Sequence, residues 1–85
     1  MDAQFNIRVK HMTNKPLELQ VTKENTVLEI KGKIAEGFGV PAEDQKLIFK
    51  GKILDNSLTA SDLGMEEGDT LHMVSKTQMD RILIF

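Results

Sequence analysis

Residues 45–54, Gln-Lys-Leu-Ile-Phe-Lys-Gly-Lys-Ile-Leu, constrain the fold most, because their apolar side chains cannot all face one core. The middle of this stretch has the composition of a β-strand, and side chains alternate between the two faces of a strand. If Leu47 and Phe49 point into a core, Ile48 points outward between two lysines. An outward isoleucine in that setting is a candidate contact residue, although single exposed apolar residues are common. The rest of the chain has to decide between these two interpretations.

The length and composition limit the kind of protein. Eighty-five residues form one domain, and at this size only about 60–65% of the unfolded chain's surface is buried on folding. A hydrophobic content of 40% and a charged content of 28% are typical of a soluble globular protein and too apolar for a disordered chain. We therefore expect a folded monomer with one small core and no deep cleft.

The charge distribution is more informative than the net charge. Eleven basic and thirteen acidic residues leave a formal net charge of −2, whereas domains that bind nucleic acids or anionic membranes need a basic field. Lys46, Lys50 and Lys52 fall in a window without acids. A later window without bases contains Asp62, Glu66, Glu67 and Asp69. We expect a basic side of the strand region beside an acidic loop, although both could simply be solvated faces.

Several classes of site and location have no sequence support. The chain has no cysteine, so it forms no disulfide, thiolate zinc site or cysteine nucleophile, and nothing ties it to an oxidising compartment. We expect a cytoplasmic or nuclear protein. The first residues lack the basic and apolar regions of a signal peptide, and no apolar run approaches the roughly 18 residues of a membrane span. We therefore expect no membrane insertion.

The first half of the chain predicts a hairpin followed by a helix. Residues 5–11 and 17–21 alternate apolar and polar side chains, which favours two antiparallel strands with Met12 in the connecting turn. Thr26-Val-Leu-Glu29 has the form of a capping box, in which the threonine and glutamate side chains satisfy each other's backbone amides. A helix is thus predicted over residues 27–38 and ends at Gly39.

The second half predicts three more strands. After the strand that contains Ile48 come a short return strand at residues 53–54, a short helical turn within 60–65 and a closing strand at 70–75. The order strand, strand, helix, strand, short strand, strand leaves one helix to cover one face of a mixed sheet. We expect an α+β roll, in outline β-β-α-β-β, with Ile48, His72 and Val74 on the uncovered face. The expected core comprises Val9, Leu19, Val21, Ile30, Ile34, Leu47, Leu54, Met65, Leu71 and Met73.

Four segments, in order and at family spacing, are similar to ubiquitin and its β-grasp relatives. They are Ile30-Lys-Gly-Lys-Ile34, Gly39-Val-Pro41, Leu47-Ile-Phe-Lys-Gly-Lys52 and Asp69-Thr-Leu-His-Met-Val74. Each segment alone is a weak signal, but the resemblance runs without a gap over residues 5–76. It implies a ubiquitin-like β-grasp fold in a single domain, residues 1–76, followed by a tail or linker, residues 77–85.

The resemblance also implies a recognition patch. The family forms it from an isoleucine in the third long strand, a histidine and a valine in the last strand, and a leucine in the first turn. In this chain those positions hold Ile48, His72, Val74 and Met12, and methionine conserves the volume of leucine. Basic residues surround the patch at or beside family positions: Lys10, Lys46, Lys52 and Lys76. Lys50 and Gly51 complete the expected partner-binding set at the turn that presents the basic edge.

The chain departs from conjugated members of the family at two places. Where their tail ends in Gly-Gly, this sequence has Met79-Asp80, and no Gly-Gly occurs anywhere in it. Such residues should not pass the narrow channel of activating enzymes, so we do not expect conjugation to targets. Arg8 replaces an exposed aromatic of ubiquitin, and the second apolar surface of ubiquitin is therefore expected to be lost.

Two segments look like the amino-terminal domains of proteasome shuttle factors, particularly ubiquilins. Lys52-Ile-Leu-Asp55 and the segment from Glu67 to Lys76 carry this likeness, and a start at Met1 would agree with an amino-terminal position. The resemblance implies docking on proteasome ubiquitin receptors, ubiquitin-interacting motif helices or ubiquitin-associated domains, in protein degradation. The alternatives are a conjugated modifier, or a ubiquitin-like domain of another adaptor such as a chaperone cofactor or DNA repair shuttle factor.

The sequence gives little support to other classes of function. His11 and His72 are its two histidines, and no nucleophile-elbow, metal-ligand or phosphate-loop spacing is present, so we expect neither an enzyme nor a cofactor. The lysine cluster lacks the stacking aromatics of single-strand platforms, so we expect no nucleic-acid partner. Residues 81–85, Arg-Ile-Leu-Ile-Phe, are either the start of a further segment or an apolar stretch that docks on the sheet or a neighbouring copy.

Overall fold

The computed structural model describes residues 4–11 and 15–75, in which a five-stranded mixed sheet packs on one helix. Its elements are β1 (Gln4–His11), β2 (Leu17–Thr22), α1 (Val27–Phe38), a 3-10 helix (Ala42–Asp44), β3 (Gln45–Phe49), β4 (Lys52–Ile53), α2 (Ala60–Leu63) and β5 (Thr70–Ser75). The strand order is β2-β1-β5-β3-β4. The central pair, β1 and β5, is parallel, and the other pairs are antiparallel. The predicted α+β roll with one main helix and a short helical turn is confirmed.

Helix α1 begins and ends where the sequence predicts. The Thr26 hydroxyl accepts a hydrogen bond from the Glu29 amide at 3.2 Å, and the Glu29 carboxylate accepts one from the Thr26 amide at 2.9 Å. These bonds satisfy amides that the first turn of a helix leaves without partners. At the other end Gly39 takes the left-handed conformation, with φ 73°, and donates to the Ala35 carbonyl. The helix thus has defined ends despite its internal glycines.

The core lies between α1 and the inner face of the sheet. Every residue of the predicted core is buried except Leu19, which is half-buried and packs against the core from β2. Strand β2 is the outermost strand on its side of the sheet, so its side chains have fewer neighbours than those of the central strands. The core also includes Ile7, Val27, Phe49 and Ala60.

A buried glutamine fixes the loop between α1 and β3. The Gln45 side-chain amide donates to the backbone carbonyls of Lys31 and Val40, each at 2.9 Å. Buried carbonyls need such partners, because an unsatisfied polar group is costly away from water. Gln45 therefore anchors the start of β3 to the middle of α1 and to the loop that follows the helix. The connection itself includes a 3-10 helix at Ala42–Asp44.

The return strand of the β3–β4 hairpin begins one residue earlier than the sequence predicted. Strand β3 ends at Phe49, and Phe49 pairs directly with Lys52 across a two-residue turn. Both turn residues have positive φ, 52° at Lys50 and 80° at Gly51, which is the geometry of the mirror-image turns that suit the twist of hairpins. Strand β4 therefore covers residues 52–53 and not 53–54.

Some of the sequence predictions concern residues that the structure leaves undescribed. Met12, Lys76 and the whole of residues 77–85 lie outside the described part of the chain. Within residues 4–11 and 15–75, neither α1 nor α2 is long and apolar enough to cross a membrane.

Candidate functional site

The face of the sheet opposite α1, here called the outer face, aligns four side chains across four strands. Lys10 of β1 pairs with His72 of β5, His72 pairs with Ile48 of β3, and Ile48 pairs with Ile53 of β4. Residues directly opposite on neighbouring strands point to the same face, with Cβ atoms about 4.5–5.5 Å apart in antiparallel pairs. These residues form one continuous row, the outer row. Ile48 is half-buried, and the other three side chains of the row are exposed.

The burial pattern confirms the predicted alternation along the two strands at the centre of the outer row. Leu47 and Met73, which pair with each other, are fully buried on the inner face. On the outer face His72 is exposed, whereas Ile48 and Val74 are half-buried. The same two strands thus supply core residues to one face and an accessible surface to the other.

Val74 lies one step along the sheet from the outer row. It pairs with Lys46, two residues before Ile48, and is therefore the diagonal neighbour of Ile48, a separation of about 7–8 Å. Three apolar side chains, Val74, Ile48 and Ile53, consequently follow one another from β5 to β4. Lys10 and Lys46 share this face. The arrangement is a small apolar strip with basic neighbours.

The structure divides the predicted basic residues between two faces. Lys52 stands opposite the buried Phe49, so its side chain projects on the side away from Ile48. The Lys50 amine lies 5.1 Å from the centre of the Phe49 ring, a distance at which a cation is attracted to an aromatic face. Both lysines line a groove with Phe49, Leu54, Asp62 and Leu63. Of the described lysines in the predicted set, Lys10 and Lys46 belong to the outer face and Lys50 and Lys52 to the hairpin edge.

Ile53 is a residue that the sequence reasoning missed. It is 67% exposed, and in the described part of the chain the other large apolar side chain of high exposure is Leu28, on α1. A signal was present, since a short strand with Leu54 in the core places the preceding residue on the opposite face. The exposed isoleucine extends the apolar strip to the edge of the sheet.

Carboxylates of the acidic window accept hydrogen bonds from backbone amides. Asp62 accepts from the Thr59 amide at 3.1 Å, Glu67 from the Asn6 amide at 3.0 Å and Asp69 from the Glu66 amide at 2.8 Å. These carboxylates cap α2 and hold the loop before β5 against β1. The acidic loop expected from the sequence is thus a set of local hydrogen-bond acceptors as well as a charged surface.

Two further residues of β1, Arg8 and His11, do not belong to the apolar strip. Arg8 of β1 forms an exposed ion pair with Glu18 of β2 at 3.4 Å, where ubiquitin has an aromatic residue. His11 ends β1 and is half-buried, with its ring centre 5.5 Å from that of Phe38. Within residues 4–11 and 15–75, no three histidine, aspartate or glutamate side chains are grouped to hold a metal ion.

Comparison with known proteins assigns the family. The sequence model of the Ubiquitin family matches residues 7–78. The chain belongs to the ubiquitin family. The solved structure of a ubiquitin from Caldiarchaeum subterraneum has the same fold, with a TM-score of 0.80 at 25% identity over 86% of this chain and 94% of that one. The predicted ubiquitin-like β-grasp fold is therefore confirmed.

Relatives within the ubiquitin family are of two kinds. The NEDD8-like protein RUB1 of Saccharomyces cerevisiae is 37% identical over 68 residues, which cover 80% of this chain and 88% of RUB1. The ubiquitin domain-containing protein DSK2 of the same yeast is 36% identical over 70 residues, which cover 82% of this chain and 18% of DSK2. The chain thus matches most of a small NEDD8-like protein and one part of a much longer protein at nearly equal identity.

Proposed function

We propose that residues 1–76 form a non-conjugated ubiquitin-like domain that docks the protein carrying it on ubiquitin receptors of the proteasome or on ubiquitin-binding domains. The observation that supports this most strongly is the outer face, where Ile48, His72 and Val74 are accessible together with Lys10 and Lys46. The domain would act in ubiquitin–proteasome protein degradation, as a monomer in the cytoplasm or the nucleus. It needs no cofactor and has no catalytic role.

The docking mechanism is burial of a small apolar centre. Ile48 and Val74, and Met12 as the family resemblance implies, would receive the apolar face of a partner helix whose contacts recur at i, i+3 and i+4. Lys10 and Lys46 would pair with acidic residues that flank this face. Exposed ion pairs contribute only about 0–1 kcal/mol, so the lysines act on association rate and partner choice more than on affinity. We expect a weak, transient interface of about 1,200 Å² in total.

The test is the affinity of the Ile48→Ala variant for a ubiquitin-interacting motif helix. We expect binding to fall below detection, because Ile48 is central to both the outer row and the apolar strip. Leu28→Ala is the matched control, since Leu28 is also an exposed large apolar residue but lies on α1. A titration in which Ile48→Ala binds as tightly as the unmodified chain would refute the proposed site.

The similarity to RUB1 favours a second candidate, a conjugated modifier. Met79-Asp80, at the positions where conjugated family members carry Gly-Gly, argues against it. Incubation of the chain with ubiquitin-activating or NEDD8-activating enzyme and ATP distinguishes the two candidates. We expect no thioester with the enzyme's cysteine, and formation of a thioester would favour the modifier. The similarity to DSK2 supports a docking domain within a longer protein, without fixing which kind of adaptor carries it.

A further inference from the structure

We propose, on the basis of the function proposed above, that Ile53 is a specificity-determining residue of the outer face. It extends the docking surface to the β4 edge, so that the surface selects an acidic amphipathic helix with a third apolar anchor one turn beyond the first two. Ile53 stands directly opposite Ile48 on the neighbouring strand and is 67% exposed. Ile53 adjoins the half-buried Ile48, whose diagonal neighbour is the half-buried Val74, so the exposed isoleucine is part of a patch, unlike an isolated surface residue.

The span of the apolar strip fits a helix of two turns. From Val74 to Ile53 the strip crosses two strand spacings of about 4.8 Å and shifts by two residues along the strands, roughly 12 Å in all. Two turns of an α-helix rise about 10.8 Å. Ile48 and Val74 can engage anchors at helix positions i and i+4. Contact with Ile53 requires a further apolar residue one turn beyond this pair, at i+7 or at i−3.

The edge beside Ile53 is open to a partner. Strand β4 has two residues and is the last strand in the sheet order, and no other described strand pairs with its free edge. Gly51, which precedes β4 in the turn, carries no side chain, and a Cβ added there would have no neighbouring atom within 4 Å. A helix lying on Ile48 can therefore continue past Ile53 without a steric obstacle from the turn.

The charges around the strip favour an acidic helix over a second copy of this chain. Lys10 and Lys46 lie on the outer face together with the apolar strip. A symmetric dimer through this face would place like surfaces together and oppose these lysines to one another. A helix with glutamate or aspartate beside its apolar anchors meets the same lysines with opposite charge.

The experiment uses two synthetic glutamate-rich helical peptides, one with leucine at i, i+4 and i+7 and one with alanine at i+7. Their affinities are measured for the unmodified chain and for Ile53→Ser. We expect Ile53→Ser to weaken binding of the three-anchor peptide about fivefold to tenfold, and that of the two-anchor peptide less than about twofold. Leu28→Ser, which removes an exposed leucine from α1, should change neither affinity.

The outcomes separate this inference from the proposed function. If Ile53→Ser binds both peptides unchanged while Ile48→Ala binds neither, the docking face stands and the role of Ile53 is overturned. If neither peptide binds the unmodified chain, both are overturned. If light scattering shows that the chain dimerises and that Ile53→Ser makes it monomeric, the occupant of the strip is a second copy and the acidic-helix proposal is wrong.

Discussion

Lys50 and Gly51 decide which side chains reach the outer face. Their successive positive φ values, 52° and 80°, close the hairpin in two residues and set Ile48 opposite Ile53 and Phe49 opposite Lys52. A shift of the register by one residue would send each side chain of β4 to the other face. Lys52 would then share the outer face with Ile48, and Ile53 would share the inner face with Phe49. The set of side chains on the outer face thus depends on a turn that adds no side chain to that face.

Gly51→Ala and Gly32→Ala should change stability in opposite directions. Neither added methyl group meets another atom, so only backbone conformation differs. At Gly51, with φ 80°, alanine should lower the free energy of unfolding by about 1–2 kcal/mol, because side chains disfavour the left-handed region. At Gly32, inside α1, alanine should raise it by about 0.5–1 kcal/mol.

Urea denaturation of the two glycine variants beside the unmodified chain measures both effects. Equal effects of the same sign would contradict the turn geometry, because the two sites differ in backbone conformation and not in space. If Gly32→Ala raises the free energy of unfolding and still binds the partner peptide, stability and docking are independent of each other.

At the scale of single residues, the sequence predicts the face of the sheet to which a side chain points when alternation within one strand decides it. It does not predict the face when the geometry of the turn decides it. Leu47, Ile48 and Phe49 face as predicted, since a strand leaves no other choice. The orientation of Lys52 required knowledge that Lys50 adopts a left-handed conformation. Turns of this type usually contain asparagine or glycine at that position, so a lysine there does not indicate a left-handed conformation.

At the scale of elements, the start of α1 links stability to pH. The pKa of Glu29 is lowered, chiefly by the hydrogen bond from the Thr26 amide and then by that of the Thr26 hydroxyl. The folded state therefore favours the carboxylate over the acid. The stabilisation is complete above the ordinary glutamate pKa of about 4.3 and is lost as the pH falls through the lower pKa of the folded state.

Glu29→Gln should remove this contribution to the pH dependence. We expect the unmodified chain to lose stability between neutral pH and about pH 3 more steeply than the variant, because glutamine does not titrate. Denaturation curves at several pH values measure the difference. Glu36→Gln, on the same helix but without a capping bond among the described contacts, is the control. If Glu29→Gln and the unmodified chain lose stability in parallel, the cap does not couple folding to pH.

The elements were more predictable than their arrangement. The capping box and Gly39 predict α1 over residues 27–38, as observed, because the signals are local. The strand order could not be obtained in this way, since β5 enters between β1 and β3 from the far end of the chain. Leu19 illustrates the consequence: its alternation predicts a core residue, but the outermost position of β2 leaves it half-buried.

At the scale of the whole molecule, the net charge and the charge of the outer face have opposite signs. The chain carries a formal net charge of −2, yet Lys10 and Lys46 lie on the outer face, while Asp62, Glu67 and Asp69 are used by backbone amides elsewhere. A partner that approaches the outer face meets local charges within a Debye length, about 8–10 Å at physiological salt. Local charge, and not the net charge, should therefore govern docking.

Salt should slow association with an acidic helix more than it speeds dissociation. Between roughly 50 and 500 mM salt we expect the association rate constant to fall several-fold with little change in the dissociation rate constant. Lys10→Gln combined with Lys46→Gln should reduce this dependence, whereas Lys33→Gln, on α1, should leave it intact. Stopped-flow measurements give both rate constants. A salt effect confined to dissociation would place the charged contacts within the bound interface.

The fold alone does not distinguish a conjugated modifier from a docking domain. The Ubiquitin family match and the archaeal ubiquitin structure concern the β-grasp unit that both share. The difference between them lies in residues such as Met79-Asp80 and in the use of the outer face. The proposed docking role therefore depends on the accessible strip around Ile48 and not on the fold.

The most direct test of that role is an NMR titration of the isotope-labelled chain with a ubiquitin-interacting motif helix, followed residue by residue. We predict that the perturbed amide signals concentrate at Lys46, Ile48, His72 and Val74 on β3 and β5, with small changes along α1. An oligonucleotide of similar charge should perturb none of them. Perturbations centred on α1, or none on β3 and β5 at saturating peptide, would contradict the assignment of the outer face as the docking site.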